Sequence, residues 1–327
     1  MDAILKNKFA TLVKREYIDH RNGFFVVPAI LGGLMLVFVV IAMIGVGQLP
    51  FENITDGQFD NLPDLLESEA MQAQAEGVDL KGSVDSIVAA LYMIMSQFTL
   101  AALPFVIFFS LLGSLYEERR DKSILFWKSM PVSDWQEVLS KFFASLVLAT
   151  VIAFGVMFVT MFAIAILISI YALLLGLPVS LLWPVDAMIS IWFGLLVFQF
   201  ANLLWLLPLW GWLMLVSAGA PRMPFVFAVL PPVVAGIVEA LFFHNTHVFE
   251  WIGSRFIGAS QKIAERVVGN EPSDFAEAMV FVREQVSSTT ALQAIADSFA
   301  DPQFWVGAAM AAAFLWGAVE LRKRANT

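Results

Sequence analysis

The sequence predicts an all-α integral membrane protein, and three observations predict it. Of its 327 residues 59% are hydrophobic. Only 14% are charged and the mean hydropathy is +0.78. Soluble domains are typically about 45–50% apolar and about 25% charged. Third, the apolar residues fall in blocks long enough to cross a bilayer, which takes about 20 helical residues each. Phe (30) and Trp (10) are abundant, as suits lipid-facing and interfacial aromatics.

Six such blocks succeed one another: 24–47, 88–116, 142–176, 187–217, 224–243 and 304–321. The first is too long for a cleaved signal and no small-residue cleavage site comes after it, so it reads as a retained span. The third and fourth are long enough to tilt or project. Pro104, Pro208 and Pro231-Pro232 lie inside blocks and predict kinks. Before the first block, residues 1–23 place Ile4, Leu5, Phe9, Leu12 and Val13 on one helical stripe bordered by Lys6, Lys8, Lys14 and Arg15. That pattern predicts an interfacial helix.

Two segments expected on the external side, 48–87 and 244–301, are substantial and partly helical. A helix is expected near 63–75. Phe249, Ile252, Phe256, Ile263 and Val267 mark one amphipathic face. A break is expected at 269–272, with Ser273 as the cap of the next helix. The chain reads as a single transmembrane domain, 1–327, without repeats or a soluble module.

Charge sets the expected orientation. The N-terminal segment, the 117–141 loop, Arg222 and the C-terminal tail hold 14 of the 19 Lys and Arg. The positive-inside rule then puts both termini in the cytoplasm of a multi-pass cell-membrane protein. The same side carries 9 of the 28 acids and the opposite side 18, with Glu239 inside the fifth span. The net charge of −9 argues against nucleic acid as a partner. There is no Cys, which excludes disulfides and thiolate sites.

Motifs for chemistry are sparse. There is no Walker A loop, no HExxH and no G-x-S-x-G, so no catalytic residues are assigned and an ATP-driven role would need a second subunit. His244, His247 and Glu250 fall at i, i+3 and i+6, so successive members share a helical face, but two His and an acid do not make a convincing metal site, and none is assigned. Glu239 is the only acid well inside a span. It is either a coupling site or a group that reaches the nearby interface. Small residues at Gly307/Ala311 and Ala308/Ala312 allow close packing of the last helix.

The loop 115–141, LYEERRDKSILFWKSMPVSDWQEVLSK, is the most informative stretch. Glu117, Glu118, Arg119, Arg120, Asp121 and Lys122 form a charged mouth around an apolar knot, Ile124-Leu125-Phe126-Trp127, with Lys128 directly after it. A short helix over 123–129 is expected, stopped by Pro131, and Ser133 with Gln136 predicts a capping box for the next helix. Either the knot dips back into the interface or a partner covers it.

This string resembles the segment between the second and third helices of ABC-2-type transporter permeases, in which Y-E-E-R, a short amphipathic stretch, K-S-x-P-V-S and a closing S-K recur. The six-span layout is similar too. The resemblance implies an export permease that binds no cofactor itself, paired with a second copy or a homologous chain. ATP and Mg belong to a cytosolic ATP-binding subunit, so this chain is not itself an enzyme. It also implies that 121–129 forms a coupling helix, with Ile124, Phe126 and Trp127 as apolar anchors and Glu117, Glu118, Arg119 and Arg120 flanking them. Two other classes stay open at the sequence level: an ATP-independent transporter or channel using Glu239, and a non-transporting sensor or assembly module.

Overall fold

The computed structural model describes residues 2–47, 80–124, 132–174, 179–267 and 288–324. The segments expected at 63–75 and 269–273, and most of the 123–129 helix, lie outside them.

Helix α1 (Asp2–Asp19) leads through a wide π turn (Asn22–Val26) into α2 (Val27–Gly47). Phe24 in that turn is fully buried, which fixes the angle between the two helices. The exposed face of α1 is mixed, with Thr11, Lys14 and Asp19 beside Ile18, while Leu12 and Glu16 are buried against the protein. The helix therefore packs on its own chain through a mixed stripe, and Phe9 meets Phe143 edge-on at 6.0 Å.

The second apolar block is two helices, α3 (Leu80–Leu100) and α4 (Leu103–Arg120), broken at Ala101-Ala102 just ahead of Pro104. Pro104 has no N–H for the carbonyl four residues earlier, so the break falls where the ladder loses a bond. On α4, Leu103, Ile107, Leu111 and Leu115 recur every fourth residue and are buried.

The third block is one long stretch: α5 (Asp134–Phe143), a π turn (Ala144–Leu148) and α6 (Ala149–Leu174). Its start is the capping box written in the sequence. Gln136 N–H donates to Ser133 Oγ at 3.3 Å, and Ser133 N–H donates to Gln136 Oε1 at 3.3 Å. In the π turn, the Ser145 hydroxyl meets Ser110 of α4 at 2.8 Å.

The fourth block breaks in the same way as the second. Helix α7 (Val185–Trp205) stops at Leu206, and α8 (Leu207–Gly219) restarts with Pro208 in its first turn. Helix α9 (Pro224–Phe243) contains Pro231 and Pro232 without interruption and is only 11% buried. Helices α10 (His247–Val267) and α11 (Ser288–Ala300) precede the last span, α12 (Pro302–Arg324).

Helix α8 is the hub. It packs most extensively along α12 and next along α4. The approach to α12 is close enough that a Cβ on Gly211 would meet the Ala311 backbone at 3.0 Å. A second group joins α2, α3, α6 and α7, with Met157, Met161, Ile191 and Leu195 buried in it. Helices α7, α10 and α11 close the end away from the termini. Among the described residues the regular structure is all helical, and six stretches are long and apolar enough to cross a membrane. Their outward faces carry Leu34, Phe38, Phe105, Phe109, Val159, Leu174 and Trp316. The chain is thus built as a multi-pass membrane protein, whose apolar exterior requires lipid rather than water.

Candidate functional site

At the end that carries both termini, four helices bring ionised side chains into one buried cluster. Glu16 and Arg15 come from α1, Glu118 from the last turn of α4, Glu137 and Lys141 from α5, and Arg322 from the last turn of α12. Lys141 Nζ lies 2.8 Å from Glu16 Oε1 and 3.1 Å from Glu118 Oε1. Arg322 Nη1 lies 2.6 Å from the other Glu118 oxygen, and its Nε is 3.2 Å from Asp134. Arg15 Nη2 contacts Glu16 at 2.5 Å, Glu118 at 3.6 Å, and Glu137. Glu16, Glu118, Glu137, Lys141 and Arg322 are all buried.

Charge balance makes this arrangement tenable. A buried ion survives only where a counter-ion and hydrogen bonds replace its water. Here Glu16, Glu118 and Glu137 face Arg15, Lys141 and Arg322. Burial pushes the Glu16 carboxyl up, but Lys141 and Arg15 outweigh it and hold it below the usual carboxylate range. Burial alone would lower Arg15; its bonds to Glu137 and Glu16 instead raise it further. His20, one turn beyond Glu16, is pushed down by burial, against the pull of Glu16.

The oxygens of Glu16, Glu118 and Glu137 lie within 4.8 Å of one another, a spacing that also suits a cation. Arg15 and Lys141 already sit among them and supply the positive charge, so the donor set needs no metal.

The cluster brackets the apolar knot of the loop singled out in the sequence. Glu118 stands before it and Asp134, Glu137 and Lys141 stand after it. Of the flanking residues, Glu117 is exposed, whereas Glu118 points inward to Lys141 and Arg322. Arg119 donates from Nη2 to the Ser217 and Ala220 carbonyls, both at 2.8 Å, and so ties α4 to the end of α8. The Ser217 hydroxyl accepts from Leu115 and Tyr116 N–H at 3.0 and 3.1 Å. Arg120 pairs with Asp121 at 2.9 Å in the open. Lys122 turns the chain with a left-handed φ of 58°. Ile124 is buried at 5% exposure. Leu125, Phe126, Trp127 and Lys128 lie outside the described residues.

Sequence reasoning does not single out Arg15, Glu16, Glu137, Lys141 and Arg322 as a site; there they count toward orientation, and Arg15 toward the amphipathic pattern of residues 1–23. One signal was available: Glu137 and Lys141 are spaced i, i+4 at the head of an apolar helix, which places both on one face.

Glu239 has a local role at the other end. Its Oε2 accepts the Val248 N–H at 2.7 Å, in the first turn of α10. A carboxylate there satisfies an orphan donor and complements the helix dipole. His247 and Glu250 approach to 3.7 Å at an exposed corner, and Thr246 also donates to Glu250 at 2.5 Å. On α10, Arg255 is buried with its guanidinium 4.6 Å from the Trp251 ring centroid and 5.5 Å from that of Trp205.

No protein-family model matches this sequence, and neither a curated protein nor a solved structure matches it. The fold and site define a six-span helical membrane protein with a buried ionic clamp at one end.

Proposed function

We propose that this chain is the membrane permease subunit of an ABC-2-type export system. It sits in the cell membrane with both termini cytoplasmic. A second copy or a homologous chain completes the pathway, and a cytosolic subunit binds and hydrolyses ATP. The supporting observation is the clamp around the 121–133 loop. Glu118 on one side and Asp134, Glu137 and Lys141 on the other are tied to α1 and α12. Arg119 adds a tie to α8. A loop that only linked two spans would not need other helix ends fixed to its roots.

In this reading Phe126 and Trp127 fill a groove on the ATP-binding subunit, as buried apolar anchors do at protein interfaces. Closure of that subunit on ATP displaces the loop. The ionic clamp passes the displacement to α1, α4, α5 and α12 as one unit, and the bundle changes access by a rigid-body switch. Trp127→Ala and Phe126→Ala are expected to uncouple ATP hydrolysis from transport, or to weaken association of the ATP-binding subunit. An intact complex with normal coupled transport in both variants contradicts the proposal. Transport by the chain alone, abolished by Glu239→Gln, would favour the ATP-independent class instead.

A further inference from the structure

Polar side chains within a membrane span are expensive unless something satisfies them. Helix α7 carries two amides, Gln199 and Asn202, at i and i+3, so they share a face. Both are half-buried, and neither side chain has a hydrogen-bond partner among the described residues. Both line a cavity of about 220 Å³, together with Pro104, Leu206, Trp210 and Phe256. Trp210 is 4% exposed, and its indole N–H is buried with no partner among the described residues. Of the other three indoles of this broken segment, Trp205 donates to Ser298 Oγ at 2.8 Å and Trp212 to the Ala228 carbonyl at 2.9 Å, while Trp192, away from this cavity, is like Trp210 without a partner among the described residues. Two unmet amides therefore line one small space, with Trp210, whose indole N–H is also unmet, in its wall.

That space lies where both proline-broken segments meet α10, since Pro104 and Leu206 are in its wall. Irregular backbone at membrane depth is tolerated where it lines a cavity. Through Pro104, Trp210 and Phe256 the space adjoins a larger cavity of about 500 Å³. Phe108, Trp212, Val229, Val233, Phe249 and Ile252 line the larger part. Among the described residues no charged side chain lines either part.

We propose that the two cavities form one site for an uncharged amphiphile. A hydroxyl- or amide-bearing head lies against Gln199, Asn202 and Trp210, and a hydrocarbon tail lies in the larger cavity. Each amide offers a donor and an acceptor, while the indole only donates. The head must therefore both donate and accept. A charged head is disfavoured, because it would lose its water here without meeting a counter-ion. The recognition chemistry is the same for a resident neutral lipid and for a passing neutral cargo. The site does not depend on the transport assignment.

The test uses 1-monooleoylglycerol carrying a diazirine in its acyl chain, with the full chain reconstituted in phosphatidylcholine vesicles. Illumination is expected to label peptides within 198–213 and 225–233. Unlabelled 1-monooleoylglycerol competes; oleate and oleylamine do not. Asn202→Leu combined with Gln199→Leu lowers labelling about tenfold, the effect of losing two or so neutral hydrogen bonds. Trp210→Phe, which keeps a ring in place, lowers it a few-fold. The thermal midpoint of the double amide variant is not reduced, because the amides it replaces have no protein partner to lose. Native mass spectrometry of the purified chain separates the sources. An adduct already present, and lost in the double variant, is a resident lipid. An adduct seen only after adding 1-monooleoylglycerol is an exchanging guest. Equal labelling of the double variant, labelling confined to other helices, equal competition by oleate, or no adduct in either state overturns the proposal.

Discussion

The two ends of the molecule bury positive charge in opposite ways. At the termini end, Lys141 and Arg322 each lie within 3.2 Å of two carboxylates contributed by different helices. At the far end, Arg255 lies between the indoles of Trp205 and Trp251 and donates a hydrogen bond from Nη1 to the Gln303 carbonyl at 3.1 Å. Its Nε and Nη2 are buried without partners among the described residues. Two arginines outside the spans record the contrast. Carboxylates raise Arg15 above its ordinary value despite burial, whereas burial lowers Arg255 and Asp301 only partly offsets it. A carboxylate network locks particular helix ends together, because each ion is costly without its partner. Aromatic faces hold a cation without dictating which helices must meet. The termini end is thus specified by charge, and the far end by apolar and aromatic packing.

The sharpest way to break the comparison is Glu118→Ala. It strips a carboxylate from both Lys141 and Arg322, and removing one partner of a buried pair costs about 3–5 kcal/mol. Unfolding in mixed micelles should show a loss of that size, with part regained in Glu118→Ala/Arg322→Met. A loss below about 1 kcal/mol would place the cluster with ordinary surface ion pairs.

Glu16→Gln should cost less, about 1–3 kcal/mol at neutral pH, because one charged hydrogen-bond acceptor is weakened rather than lost. Its pH dependence carries a sign. The folded carboxyl titrates below its ordinary value of 4.5, so its stabilisation is present above that pH and drains away as pH falls through the folded value. His20 acts at higher pH with the same direction of loss. Its folded value lies below 6.5, so acidification protonates the unfolded state first and favours it. The thermal midpoint of the wild type should fall from pH 7 to pH 3. The gap between wild type and Glu16→Gln should close over the lower part of that range. A gap that stays constant would remove Glu16 from the network.

The smallest effect belongs to Arg255→Met. Replacing a sparsely bonded buried cation with an apolar chain of similar length is expected to shift stability by less than about 1 kcal/mol, because the exchange leaves no carboxylate buried and unpaired. Lys141→Met, the same kind of exchange in the network, should be clearly destabilising. Equal effects would erase the distinction between the two ends.

The spans and their breaks were legible in the sequence. Pro104 and Pro208 marked the interruptions, and Ser133 with Gln136 marked the start of α5, because proline and capping chemistry act within a few residues. The clamp was not legible. Arg15 and Arg322 lie near opposite ends of the chain, and only packing of α1 and α12 against α4 and α5 brings them to Glu137 and Glu118. Glu118, Lys141 and Arg322 stood at the ends of apolar blocks, and Arg15 and Glu16 in an amphipathic stretch, where a solvated group is the ordinary expectation. Gln199 and Asn202 escape notice for a related reason: a search for ionisable groups inside spans passes over neutral amides. Glu239 stands out in such a search, and it caps α10.

The central claim is that the loop between α4 and α5 seats an ATP-binding partner. A photoreactive amino acid in place of Phe126, activated in native membranes, tests it most directly. The account predicts one dominant crosslink, to a soluble protein carrying a Walker A motif, that weakens when Glu118→Ala loosens the roots of the loop. Crosslinks to lipid alone, or to a protein on the opposite side of the membrane, would contradict it.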